Sequence, residues 1–172
     1  MTSAPAPAWT ELDPGFAVRL PDTHARLRDG GLVVHPAVAK VVLHGSRGPK
    51  GGYRPDSDLD LSLVVAPPPM AREALAALLA EVIGTTLRAW RGTVGLDLVA
   101  VFDAQSCGLG CFDVVAWDQG AVCASGGGRD CFGAYKVQRG FDGFVEDAGV
   151  EVGRMQPCVT VWRRPVAPAT PS

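Results

Sequence analysis

Three aspartates and one glycine–serine pair carry the chemistry available to this sequence. Asp58 and Asp60 stand two residues apart in Asp58-Leu59-Asp60-Leu61. A strand alternates its side chains between two faces, so this spacing sends both carboxylates to one side and both leucines to the other. Carboxylates held close together repel, and one pKa rises unless a cation intervenes. Hard oxygen donors of this kind suit Mg²⁺ or Mn²⁺. Asp97 is the one charge in Val94-Gly95-Leu96-Asp97-Leu98-Val99-Ala100-Val101. A lone carboxylate in a buried strand is costly unless it is paired or metal-bound. If its strand neighbours the Asp60 strand, the three carboxylates converge on a site for divalent cations and a phosphoryl or nucleotidyl group. Asp58, Asp60 and Asp97 are therefore the candidate catalytic and metal-ligating residues.

The other half of the site is Gly45-Ser46-Arg47, directly after an apolar run. Glycine lets the backbone approach a phosphate closely, and the serine hydroxyl and nearby N–H groups can bind its oxygens. Arg47 and Lys50, with Arg54 in the same loop, can neutralise a polyphosphate. Gly45, Ser46, Arg47 and Lys50 are the candidate nucleotide-binding residues. Plainer readings stand beside these. Arg47 and Lys50 also fit solvated loop charges, Asp56 a turn residue, and His44 a strand-end histidine with a satisfied ring. Arg129, Lys136 and Arg139 form a scattered basic stretch beside Tyr135 that reads as a solvated face, with an approach to nucleotide or acceptor as the alternative.

The elements that must position these groups follow from apolar patterning. Val38 to Leu43 is a short β-branched run that predicts a buried strand. Gly45 to Ser57 is a glycine- and proline-rich loop. Leu59 to Val65 is a second strand, stopped by three prolines. Met70 to Trp90 is a helix, its apolar residues recurring at three and four. Leu96 to Phe102 is a third strand. Phe112 to Gln119 reads as strand or helix, Ala121 to Ala124 as a short strand, and Gly126 to Gly128 as a turn. Tyr135 to Arg154 shows no period. Strand, loop, strand, helix, strand predicts an α/β or α+β domain.

The chain has 172 residues, 47% of them apolar and 20% charged, which suits one domain. Residues 1–10 and 165–172 read as flexible ends around a domain at 11–164. No run has the length and apolarity of a membrane span. A formal charge of −2 argues against a dedicated binder of long duplex nucleic acid. The five cysteines are odd in number and follow no secretory signal, so reduced thiols and a cytoplasmic location are expected. Cys107 and Cys111 have loose metal-like spacing but no second pair.

His44-Gly45-Ser46-Arg47, followed by Arg54-Pro55-Asp56-Ser57-Asp58-Leu59-Asp60-Leu61, resembles the DNA polymerase β-like nucleotidyltransferase superfamily. Within it, the pattern is similar to the small bacterial minimal nucleotidyltransferases. Eleven residues separate Ser46 from Asp58, within the superfamily's range. Asp97 falls after the helix, where the third carboxylate belongs, and the likeness covers residues 38–102. It implies a mixed sheet flanked by helices and Mg²⁺- or Mn²⁺-dependent transfer of a nucleoside monophosphate from an NTP, with release of pyrophosphate. It implies that Gly45 and Ser46 hold the triphosphate, that Asp58 and Asp60 ligate metal, and that Asp97 completes the site. The acceptor it implies is a hydroxyl on a protein, a small molecule such as an antibiotic, or an RNA end. A HEPN-type partner protein is an implied possibility, as is a non-catalytic binding module of the antitoxin kind. Two features depart from close relatives: His44 replaces a large apolar residue, and Pro49 with its neighbouring glycines should shorten or break any helix starting at Ser46.

Overall fold

The structure is a computed structural model that describes residues 12–66, 69–103, 109, 112, 132–138, 143–145 and 157–165. Two short helices come first, α1 (Pro14–Arg19) and α2 (Pro21–Gly30). Each opens on a proline, whose missing N–H costs nothing at a helix start. Asp13 caps α1, its carboxylate accepting a hydrogen bond from the Gly15 N–H at 2.7 Å. Strand β1 (Val38–His44) then pairs antiparallel with β2 (Leu59–Val65). Helix α3 (Arg72–Ala89) carries the chain over to β3 (Leu96–Asp103), which lies parallel to β2. A parallel neighbour needs such a crossover, because a tight turn can only reverse direction.

Strands β4 (Phe132–Lys136), β5 (Gly143–Val145) and β6 (Val159–Arg163) complete a mixed six-stranded sheet in the order β5-β4-β3-β2-β1-β6. The chain is one domain of the α+β kind, with its helices against the sheet. β2 keeps the limits the sequence predicts, and α3 is two residues shorter at its start and one at its end. Helices α1 and α2 and strand β6 were not expected. β4 and β5 fall largely in a stretch where no period is legible.

Which face each strand presents is set by burial. Leu59, Leu61 and Leu63 of β2, with Leu96 and Leu98 of β3, meet Phe16, Leu27, Leu79, Val82 and Ile83 from the three helices. Each buried leucine contributes about 1.5–3 kcal/mol, so the leucines choose the helix side and the aspartates follow to the other. That second face carries a smaller apolar cluster: Val42, Val64, Val101, Phe132, Ala134 and Cys158, with Leu109 and Phe112. No described helix is long and apolar enough to cross a membrane.

Several expectations lie outside the described residues. They are the readings for 113–131, the basic residues Arg129 and Arg139, all cysteines except Cys158, the first ten residues and the tail from residue 166.

Candidate active site

The β2–β3 register sets Asp60 directly opposite Asp97, as the sequence expectation required. Across β1–β2, Asp60 faces His44. The two carboxylates are close enough for each to act on the other's charge. Burial first, and then the neighbouring Asp97 charge, hold the Asp60 carboxyl above its ordinary value of 3.8. Lys136 pulls it back, and the pull of the Asp97 carboxylate on the Asp60 proton adds to the rise. The spacing of Asp58 and Asp60 predicts repulsion between those two, whereas the carboxylate that acts on Asp60 is Asp97, across the strand pair.

Asp58 lies one step back along β2. The ladder begins there with the Leu59 N–H donating to the Gly95 carbonyl at 2.9 Å. Asp58 rests on Gly95 so closely that a Cβ there would fall 2.5 Å from its Oδ1. The three aspartates thus share one end of the parallel pair. Among the described residues, no three His, Cys, Asp or Glu side chains form a group that could hold a metal ion. The tight unit is the Asp60–Asp97 pair.

Lys136, at the end of β4, was read as part of a solvated face and instead joins this pair. Its Nζ lies 2.6 Å from Asp97 Oδ1, with the lysine side chain 19% and the aspartate 16% exposed. β3 and β4 pair antiparallel with Ala100 opposite Tyr135, so Lys136 lies across from Val99 and reaches back two residues along the same face. The sequence signal was a scattered basic stretch beside Tyr135. Its meaning depended on a strand pairing that local pattern does not reveal.

The Gly45–Ser57 loop enters from β1. Gly45 has φ 68°, and a Cβ there would overlap the Asp60 carboxylate. Only glycine meets both conditions without strain. Beyond it, the Gly48 N–H donates to the Gly45 carbonyl at 3.0 Å and the Gly51 N–H to the Gly48 carbonyl at 3.1 Å. These are successive turns, not an α-helix, which fits the effect expected of Pro49. Ser46 is half-buried and Lys50 exposed.

Arg47 is turned inward and wholly buried. Its guanidinium donates to the carbonyls of Ser57 (2.7 Å), Arg54 (3.2 Å) and Pro55 (3.2 Å) and to Asp22 (3.3 Å). It also lies over the Tyr53 ring, 4.5 Å from its centroid. In this conformation it ties the loop together and does not present its charge beside Ser46. His44 fits its plainer reading: its Nε2 is 2.8 Å from Ser62 Oγ, and its ring meets Phe112 edge-on.

Two clefts lie away from the aspartates. One, of about 320 Å³, is lined by Asp22, Arg26 and Arg91 beside α2. The other, of about 390 Å³, is lined by Lys40, Asp103 and Arg163 at the far end of the sheet. Compared with known protein families, curated proteins and solved structures, the chain matches none.

Proposed function

We propose that the chain is a metal-dependent nucleotidyltransferase, moving a nucleoside monophosphate from an NTP to an acceptor hydroxyl and releasing pyrophosphate. The observation that carries this reading is the Asp60–Asp97 pair, two carboxylates opposite each other on parallel strands, with Gly45 against one of them. Mg²⁺ commonly takes one or two protein carboxylates and completes its shell with water and substrate phosphates. A pair without a third preformed protein ligand suits that habit. Asp60 and Asp97 would hold the cation, with Asp58 next in line. When bound, such a cation would offset the charge of the phosphates in flight.

The chain's own residues do the rest. Gly45 leaves space beside Asp60, and the Ser46 hydroxyl and loop N–H groups donate to the β- and γ-phosphates. Lys50 adds charge from the exposed side of the loop. Arg47 works from behind, by keeping the loop's shape. The acceptor oxygen attacks the α-phosphorus as the bond to pyrophosphate breaks, and its proton passes to Asp97. The protein contributes position and charge, not a covalent intermediate.

A second reading is a non-catalytic module that binds a nucleotide or a partner protein. The inward turn of Arg47 and the absence of a three-acid group among the described residues favour it. Thermal unfolding with ATP, GTP, CTP or UTP, each with and without Mg²⁺, separates the enzyme from a module that binds only a partner protein, and release of pyrophosphate separates it from one that binds nucleotide without turnover. The enzyme reading expects one Mg·NTP to raise the melting temperature, with about 2.7 kcal/mol gained at a hundredfold excess over Kd. The rise should vanish in Asp60→Asn and Asp97→Asn. No shift with any nucleotide transfers the weight to the partner-binding module.

A further inference from the structure

Among the cations near the loop and the aspartates, Arg47 and Lys136 are held very differently. Arg47 is clasped by three carbonyls and a carboxylate. The ion-pair partner of Lys136 among the described residues is Asp97. Lysine ends in a compact charge on a flexible four-carbon stem, so it can change partners at small cost. The backbone that bears it is pinned. β4 is laddered to β3 through Lys136's neighbours, and Gln138 Oε1 accepts from the Leu98 N–H at 3.2 Å. The strand is anchored on both sides of a side chain that can swing.

Charge gives the swing a direction. Asp58, Asp60 and Asp97 gather negative charge at one end of β2 and β3, and Lys136 supplies a balancing cation within contact distance. A divalent cation on Asp60 and Asp97 would do that balancing with twice the charge and repel the ammonium. The triphosphate arriving with it would attract the ammonium. We propose that Lys136 is the aspartate pair's own counter-ion, and that it leaves Asp97 for the substrate's phosphates when a divalent cation and nucleotide bind. This rests on the nucleotidyltransferase reading and adds a control to it: the lysine competes with metal alone and cooperates with metal plus nucleotide.

The test is Mn²⁺ binding to the full chain, followed by the paramagnetic signal of free Mn²⁺, with and without ATP. Wild type, Lys136→Met and Lys136→Arg are compared. Without ATP, Lys136→Met should bind Mn²⁺ about three- to tenfold more tightly, the size of one partly buried ion pair. With ATP, the order should reverse, because the phosphates lose a partner. Lys136→Arg should stay near wild type in both. Lys136→Gln, which keeps a polar end, replaces Lys136→Met if the latter does not fold. Equal or weaker Mn²⁺ binding by the neutral variant overturns the counter-ion role and leaves Lys136 as a tie between β3 and β4. Absence of Mn²⁺ binding in wild type itself overturns the enzyme reading, and this inference with it.

Discussion

Gly45 stands between two clusters of charge, and the contrast between them separates structure from chemistry. Behind it, Arg47 is a single cation surrounded by acceptors. Every part of that cluster lowers the energy of the others, and it is complete without a ligand. In front of it, Asp60 and Asp97 are like charges brought together by the register and only partly relieved by Lys136. Burial and Asp97 hold the Asp60 carboxyl above its usual range, a cost the fold carries. A satisfied charge organises the chain, and a frustrated pair is poised to bind.

The sharpest way to break the contrast is Arg47→Met. It removes the buried cation that three loop carbonyls and Asp22 share, so a loss of roughly 2–4 kcal/mol in urea unfolding is expected. Arg47→Lys should recover little of it, since an ammonium cannot reach all these acceptors from one position. A loss below about 1 kcal/mol would mean the loop holds its shape without Arg47. Next in size is Gly45→Ala. The left-handed φ and the overlap with the Asp60 carboxylate should together cost about 1–3 kcal/mol and weaken Mg·NTP binding, readable as a smaller nucleotide-dependent melting shift. An alanine variant with wild-type stability and binding would show that Gly45 is not the close approach described here.

The smallest effect concerns pH. Between 3.8 and its raised value, folded Asp60 keeps a proton that the unfolded chain has lost. Stability therefore falls as pH rises through that window. Asp60→Asn should lose this slope, so that in metal-free urea unfolding the variant gains on wild type as pH climbs above 3.8. Parallel pH curves would mean the two carboxylates do not burden the fold.

The middle of the molecule was legible because its signals are local. Leu59–Val65 is an apolar run with proline stops, and α3 repeats its apolar residues at helical spacing. The pairing of Asp60 with Asp97 could be anticipated because a strand–helix–strand unit favours parallel neighbours. Other parts hid for physical reasons. α1 and α2 each bury a thin apolar stripe, Phe16 in one and Leu27 in the other, too little to stand out as a period. Their prolines and Asp13 were the readable cues. β6 is buried on both faces from Val159 to Trp162, so it shows no alternation. β4 carries Gly133 as its second residue, where the Phe102 ring covers the backbone, and glycine interrupts the pattern. Lys136 and Arg47 were visible as charges. Their surroundings were not, because partners such as Asp97 and Asp22 are supplied by distant elements.

The order of the strands bears on how the chain emerges during synthesis. β1 is made before any other strand, yet one of its two neighbours, β6, is the last of the described strands to be made. Until β6 appears, β1 offers an unpaired edge between two apolar faces, the kind of template on which nascent chains pair wrongly. The aspartate pair is already in hand by then, since β2, α3 and β3 come earlier. A chain cut before Val159 would keep its carboxylates and lose its protection, so its failure would show first as aggregation and not as missing chemistry.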